Sequence, residues 1–359
     1  MHGMTVTIVE IAERAGVSPG TVSRVLNSRY KENRPAIAKR AQRIRDIAAE
    51  LGYRPNAAAR SMQTGRFGTM CLVTCGDLGF DWLPLSLLHG LHKSLDERGF
   101  GLLVNEVTAD QLDSTETLPR IFRESGVDAL LINVDSKLPS HILEFFESQP
   151  VPGVLLNQKM AHKAVFPDEW RGGWIAAELL AERGRRRVGF FKLDPPDSGP
   201  HYSAWDRRDG AVAALAHLGL PDDIVRLGCE EYCDRSGNGP LCAERFLTDH
   251  PGIDAVICYE LAEAIAISLA ASKLGMRVPQ DLSVIVFNER EAHGNTSLCI
   301  DTMMIPFKAV GEAAIRFAHE LVERETENPE ALCVPYTQFY DACAGAMVDI
   351  SARIAGPRP

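Results

Sequence analysis

The sequence predicts two folds in series: an all-α head with a short linking helix, then an α/β body of parallel, doubly wound sheets arranged as two lobes. Three observations carry this. Residues up to 66 show helical periodicity and no strand pattern, whereas from Thr69 onward short apolar runs alternate with amphipathic stretches. Charge divides at the same place: residues 1–66 carry a net +7 and the remainder −17, within an overall −10. A length of 359 residues with 45% apolar content is too much for one ordinary domain and enough for a large core.

The head begins with "TIVEIAERAG". Thr7 and Glu10 have the spacing of a capping box, and Ile8, Ile11, Ala12 and Ala15 form the buried stripe. The next stretch is "GVSPGTVSRVLN". Ser18 suits the N-cap and Pro19 the first helical position, and Val22, Val25 and Leu26 fall at i, i+3, i+4. That burial leaves Gly20, Thr21, Ser23, Arg24 and Asn27 on the outward face, where small and hydroxylated side chains and one Arg suit a groove lined with hydrogen-bonding groups. Two short helices joined through Gly16-Val17-Ser18 predict a helix-turn-helix whose second helix reads DNA. A third helix places Ile37, Ala41, Ile44, Ala48 and Leu51 on one stripe and ends at Gly52; Lys39, Arg40, Arg43 and Arg45 lie off that stripe and suit phosphates. In "YRPNAAARSMQTGR", Pro55 and Asn56 can start a helix, but one and a half turns cannot hold alone, since roughly a dozen residues are needed in water.

The string from Thr5, "TVTIVEIAERAGVSPGTVSRVLN", with "LGYRPNAAARSMQTGR" at Leu51 to Arg66, resembles the head and hinge of the LacI/GalR family of bacterial regulators, and the likeness continues more weakly to about residue 345. It implies a dimer whose paired hinge helices enter the minor groove, with Met62 at the wedging position and Ala59 allowing close approach. The implied DNA-binding set is Thr7, Ser18, Pro19, Gly20, Thr21, Ser23, Arg24, Asn27, Asn56, Ala59 and Met62. Wedging a side chain between base pairs costs a few kcal/mol, recovered in contacts. Here the loop between Asn27 and the third helix is several residues longer than is usual in the family.

In the body, candidate strands are "TMCLVTC", "GLLVNEV", "DALLINV", "VPGVLLN", "RRVGFFKL", "DAVICYE" and "LSVIVFN", and candidate helices cover 83–98, 139–148, 170–183, 206–218, 261–274 and 307–325. Near-continuous apolar strands alternating with helices imply parallel sheets covered on both faces. The resemblance implies a periplasmic-binding-protein-like pair of lobes, crossed near residues 160, 300 and 330. The expected division is a head at 1–52, a hinge at 53–66 and a core at 67–359, with one lobe at about 67–160 plus 300–330 and the other at about 161–299 plus 331–350. The tail "RIAGPRP" is expected to fray.

Ligands of doubly wound sheets meet the carboxyl ends of strands. Residues just beyond the apolar runs are Asp77, Phe80, Trp82, Asn157, Asp168, Trp170, Trp205, Arg207, Tyr259, Glu260, Asn288 and Glu289. Carboxylates, amides, an Arg and flat aromatic faces suit a polyhydroxylated ligand. By resemblance Arg207, three residues before Gly210, and Glu260 match effector-binding positions, while Tyr259 and Asn288-Glu289 depart from the family's residues and enlarge the side chains there.

Nine cysteines occur without a CxxC pair and mostly within apolar runs, which reads as buried free thiols in place of zinc or disulfides. The sequence contains no GxSxG, HExxH or Walker A lysine, and the histidines read as ordinary surface or core residues. The expectation is a cytoplasmic homodimeric repressor with no catalytic residues, cofactor or metal and no membrane association. It reads a pseudo-palindromic operator in double-stranded DNA and answers to a small-molecule effector, a sugar or sugar derivative. A sugar-binding protein without a DNA role and a regulator with no small effector stand as the other readings.

Overall fold

The computed structural model describes residues 6–26, 34–54, 61, 65–75, 83–112, 116, 126–133, 140–148, 150–193, 201–226, 239–292, 298–324, 326 and 328–355. The chain divides into two compact units, Met1–Gly68 and Thr69–Pro359.

In the first unit three helices enclose a small core: α1 (Ile8–Ala15), α2 (Pro19–Leu26) and α3 (Pro35–Glu50). The capping box forms as its spacing predicts, with the Thr7 N–H donating to Glu10 Oε2 at 2.7 Å and the Glu10 N–H to Thr7 Oγ1 at 3.4 Å. Gly16 takes φ 69° at the end of α1, a left-handed conformation that glycine adopts freely, and this turns the chain into α2. The core is Ile11, Ala12, Val22, Val25, Ala41, Ile44, Ile47 and Ala48. On α3 the buried stripe differs from the expected one: Ile47 is in the core, Ile37 is only half-buried, and Leu51, at the C-cap, is half-buried against the core. Ile44, Ile47 and Ala48 are spaced i, i+3, i+4 and pack with Ile11, Ala12, Val22 and Val25.

The second unit holds two six-stranded sheets. The first contains β1 (Thr69–Cys75), β2 (Gly101–Val107), β3 (Ala129–Asn133), β4 (Gly153–Leu156), β5 (Ala164–Pro167) and β10 (Leu332–Val334), in the order β10-β5-β4-β3-β1-β2 and wholly parallel. The second contains β6 (Val188–Phe191), β7 (Ala255–Cys258), β8 (Ser283–Asn288), β9 (Asp301–Met304), β11 (Gln338–Asp341) and β12 (Ala346–Asp349), in the order β12-β11-β9-β8-β7-β6. It is parallel from β6 to β9, and then β11 and β12 run antiparallel as a hairpin. That hairpin is a departure from the all-parallel expectation. β5, β9 and β10 to β12, each three or four residues long, are not among the expected strands.

Strand alternation sorts the helices. Ala129 and Leu131 face α4 (Leu85–Arg98) and α10 (Phe307–Val322), and Leu130 and Ile132 face α5 (Ser140–Ser148). In the second sheet Ala255 and Ile257 join α6 (Glu169–Glu182) and α7 (Tyr202–His217). Val256 and Cys258 join α8 (Gly239–Asp249) and α9 (Leu261–Lys273). Covering fails at the edge: Leu103 and Val104 of β2 are exposed.

Two helix pairs meet at backbone distance. A Cβ on Gly173 would stand 1.9 Å from the Arg207 carbonyl oxygen, and one on Gly210 would stand 1.9 Å from that of Trp170, so α6 and α7 interlock through reciprocal glycines. Gly90 and Gly311 do the same for α4 and α10, at 2.1 Å from Lys308 O and 2.6 Å from Leu87 O.

The chain crosses between sheets later than the sequence suggested. β5 pairs with β4 and β10, so Ala164–Pro167 belongs to the first sheet and the first crossing falls at Asp168, not near 160. β9 keeps Asp301–Met304 in the second sheet, which puts the next crossing at Ile305-Pro306. The last lies between β10 and β11, around Tyr336. Of the tail expected to fray, residues 353–355 are anchored, and 356–359 lie outside the described residues. Residues 351–355 form a 3-10 turn, Arg353 pairs with Glu178 and Glu182 at 3.0 and 2.8 Å, and its carbonyl accepts from Arg171 Nε at 2.8 Å.

Cys71, Cys242 and Cys258 are buried as expected, and burial pushes the Cys71 thiol up to about 11. Cys299 and Cys333 are half-buried and Cys343 is exposed, against the expectation for most of the set. Among the described residues no helix is long and apolar enough to cross a membrane.

Candidate functional site

On the head, Val22 and Val25 turn inward, and Ser18, Pro19, Gly20 and Arg24 are exposed while Thr21 and Ser23 are half-buried. The helix start is organised by side chains: Ser18 Oγ accepts the Thr21 N–H at 3.3 Å and lies 3.0 Å from Thr21 Oγ1. Arg24 Nε donates to the Gly20 carbonyl one turn back at 3.3 Å, which lays the guanidinium along the helix surface. Thr7 is exposed but commits its hydroxyl to Glu10. Lys39, Arg40 and Arg43 are exposed on α3, and Arg45 is half-buried. Asn27, Asn56, Ala59 and Met62 lie outside the described residues, as do Asp77, Phe80 and Trp82 of the expected ligand set.

In the body the centre of the site is Arg207, which α7 places beneath the carboxyl ends of β7 and β8. It is 3% exposed. Its Nε and Nη2 donate to the two carboxylate oxygens of Glu169 at 2.6 and 2.8 Å, and its Nη1 donates to the Tyr259 carbonyl at 3.1 Å. The guanidinium lies over the Phe287 ring at 4.3 Å and the Tyr259 ring at 4.8 Å. Tyr336 donates its hydroxyl to Glu169 Oε2 at 2.6 Å. Burial opposes the Arg207 charge, but the Glu169 carboxylate outweighs it, so the guanidinium is held above its ordinary range. Glu169 follows the first crossing and Tyr336 sits on the third, so this cluster ties both to α7.

A chain of hydrogen bonds runs off this centre. Tyr259 Oη lies 2.8 Å from Ser203 Oγ, Ser203 Oγ lies 2.8 Å from His201 Nδ1, and His201 Nε2 lies 2.9 Å from the Asn157 carbonyl. A carbonyl only accepts, so Nε2 carries the proton, Nδ1 accepts from Ser203, and Ser203 accepts from Tyr259. Burial lowers His201 to about 4, with the Arg207 and Lys192 charges adding and the Asn157 contact opposing. His201 is therefore neutral near pH 7 and too weak a base to activate Ser203, which is itself 2% exposed. Asn157 is buried with φ 55°, and its Oδ1 accepts from Tyr202 at 3.4 Å.

Other expected residues have different positions. Asp168 is buried and caps α6, accepting the Arg171 N–H at 3.2 Å. Trp170 packs on Trp174, ring centres 5.5 Å apart, against the second-lobe core. Trp205 is 41% exposed with the Arg208 guanidinium 4.4 Å over its ring. Glu260 is exposed at the start of α9, where Glu263 accepts the N–H groups of Tyr259 and Glu260 at 2.9 and 3.0 Å. Burial lifts Glu263 to about 8 in spite of these donors. Asn288 is half-buried at the end of β8. Glu289 reaches the other lobe and caps α4.

The structure thus joins Arg207 and Tyr259 directly, links Asn157 through His201, and leaves Trp170, Trp205 and Glu289 elsewhere. The sequence reading missed Glu169, Tyr336, His201, Ser203 and Phe287. Glu169 directly follows a residue that it did select, and Phe287 directly precedes one. It also missed Asn133, at the carboxyl end of β3, which is 2% exposed and has a side-chain nitrogen with no hydrogen-bond partner among the described residues. Among the described residues no group of three or more His, Cys, Asp or Glu could hold a metal ion.

The chain can be set beside known proteins. Residues 7–56 match a family model described as bacterial regulatory proteins, lacI family, and residues 177–339 match one described as a periplasmic binding protein-like domain. The HTH-type transcriptional repressor PurR of Klebsiella pneumoniae subsp. pneumoniae is 25% identical over 334 residues, covering 91% of this chain and 93% of that protein. PurR of Yersinia pestis bv. Antiqua is 26% identical over 338 residues, with the same coverages of 91% and 93%. Among solved structures, the Lac repressor dimer bound to operator and the anti-inducer ONPF superposes with TM-score 0.70 at 20% identity, over 92% of this chain and 96% of that one. A complex of the transcriptional regulator CelR with cellobiose superposes with TM-score 0.60 at 22% identity, over 92% and 97%. A regulatory head and a binding-protein body on one chain, matched nearly end to end by repressors, identify this protein as a member of the LacI/GalR family of bacterial transcriptional regulators.

Proposed function

We propose that this chain is a dimeric, cytoplasmic repressor of transcription that binds a pseudo-palindromic operator and changes its grip when a small polyhydroxylated molecule enters the cleft between its lobes. The observation that carries the reading is the exposed α2 face, with Pro19, Gly20 and Arg24 outward on a head of net +7, on the same chain as a two-lobed body of net −17. Positive charge confined to the head directs phosphate contacts there. Pro19 and Gly20 offer few donors to base edges, so Arg24 carries most of the direct reading, with guanine its natural partner. Asn27, Asn56, Ala59 and Met62 complete the proposed DNA set. Similarity to repressors named PurR and to an operator-bound Lac repressor dimer supports DNA as the partner, and similarity to a cellobiose complex supports a carbohydrate.

The ligand site proposed here centres on Arg207 and Tyr259, with Asn157, Asn288 and Glu260 at neighbouring strand ends and Asp77, Phe80 and Trp82 from the first lobe. Asp168 and Trp170 support it from α6. A ligand shifts the operator equilibrium only by its differential affinity for the two arrangements of the lobes. No residue of this set is proposed to be catalytic. A second reading, a regulator without a small effector, is favoured by one observation: Glu169 already neutralises Arg207. Salt-dependent retardation of genomic fragments tests the first part, with preference for a subset over random duplex expected and its absence overturning the assignment. A thermal-shift panel of neutral sugars, sugar acids and nucleosides separates the two readings.

A further inference from the structure

We propose that Cys299 and Cys343 form a dithiol that hydrogen peroxide converts to a reversible intramolecular disulfide at the end of the second lobe remote from the cleft. Their sulfurs lie 3.5 Å apart, although the residues are 44 apart in sequence. Cys299 precedes β9 and is half-buried, and Cys343 is exposed in the turn between β11 and β12. A disulfide needs a sulfur separation of about 2.0 Å, so closure takes a small rotation of side chains that already face each other.

The backbone beneath the two thiols is pinned. The Ala342 N–H donates to Asp301 Oδ1 at 2.9 Å, and the Arg183 guanidinium bridges Asp301 and Asp341, the latter at 2.8 Å. The two cysteines are therefore presented to each other by the sheet, not by chance encounter of loose loops. Metal binding is a poorer use of the pair, because no third ligand joins it among the described residues. Cys71, Cys242 and Cys258 are shut inside cores, and Cys333 lies on β10 in the other sheet.

The order of events follows from exposure and charge. Burial, the neighbouring Cys343, and the carboxylates of Asp301 and Asp341 push Cys299 up to about 12, so it stays protonated and is a poor first nucleophile. Cys343 meets the oxidant. Its thiolate attacks the peroxide O–O bond, taking one oxygen as sulfenic acid while the other leaves as hydroxide and collects a proton to become water. The Cys299 sulfur then displaces the sulfenic hydroxyl; its own proton and the hydroxyl depart as a second water, and the S–S bond forms. Two thiols are oxidised and one peroxide is reduced. A thiol reductant reverses the change. The bond would tie the remote ends of β9 and β11, the strands adjoining the second and third crossings.

The test uses the full-length protein treated with hydrogen peroxide, alkylated and digested with trypsin. The expected product joins the peptide 291–308 to the peptide 325–353, with a mass about 2 Da below the sum of the reduced pair, and dithiothreitol separates them. Because 325–353 also contains Cys333, the join must survive in C333S and vanish in C343S, an exposed substitution that leaves folding intact. A join that persists in C343S overturns the proposal. So does peroxide that drives Cys343 to sulfinic or sulfonic acid in the native chain with no joined peptide.

Discussion

Glu289 holds the start of α4 from across the cleft: its carboxylate, at the end of β8, accepts the N–H of Leu85 at 3.3 Å, the N–H of Ser86 at 2.9 Å and the Ser86 hydroxyl at 2.6 Å. A negative group at a helix N-terminus satisfies orphan donors and meets the positive end of the helix dipole. Here the donors belong to one lobe and the acceptor to the other, so the cap is also a latch. Glu289→Ala should loosen it at a cost of about 1.5–3 kcal/mol. Amide exchange at Ser86 should quicken, and the radius of gyration in solution scattering should rise. Unchanged protection at Ser86 would show that the latch is not closed in solution.

Glu169 and Arg207 are 1% and 3% exposed and make a two-pronged contact. Removing one member leaves the other as an unpaired buried charge, so Glu169→Ala should cost about 3–5 kcal/mol in denaturant unfolding. Acetate, which fits the space of the lost carboxylate, should restore part of the melting temperature of the variant and leave the native protein unmoved. Equal responses of both proteins to acetate would separate the loss of stability from the pairing.

His201 has a folded-state value near 4 against an ordinary 6.5. A depressed base takes its proton first in the unfolded chain, so its contribution is full above pH 6.5 and is lost as pH falls toward 4. The loss is about 3 kcal/mol at most. His201→Asn keeps a cap for α7 and does not titrate. The stability difference between native protein and variant should shrink across that window, and parallel pH curves would count against the assigned hydrogen-bond direction.

Arg24→Ala should leave the head folded, because the side chain is exposed and the core beneath it is Val22 and Val25. Loss of one good base contact costs about 1–3 kcal/mol of discrimination. Competition gel shifts should show operator preference collapsing toward that for random duplex. An unaltered preference would move the reading function to other residues.

The legible parts of this chain were those where burial is strong and local. "ALLIN" in β3 is buried at all five positions and could only be a strand inside a covered sheet. α1 was legible from Thr7 and Glu10 because a capping box is fixed by spacing alone. β12 was not, because all four of its residues are exposed and only pairing with β11 defines it. The site followed the same rule. Arg207 and Tyr259 announce themselves by residue type near a strand end, whereas Tyr336 reaches Glu169 from 167 residues away and has no local signature. Glu289 was selected by its place after a strand, and its contact with Leu85 and Ser86 was not foreseen, because a carboxylate there is equally able to meet a ligand or the helix opposite.

The reciprocal glycines decide what kind of motion the body can make. With Gly173 against Arg207 and Gly210 against Trp170, and Gly90 and Gly311 matched likewise, neither helix pair can slide without driving a carbonyl into a backbone. Shear between the helices of either pair would meet these contacts, whereas a rotation of whole lobes about the crossings at Asp168, Ile305-Pro306 and Tyr336 would not. A methyl group at Gly173 or Gly210 would jam the gear on which Arg207 is mounted, and the damage would reach the cleft without any cleft residue having changed.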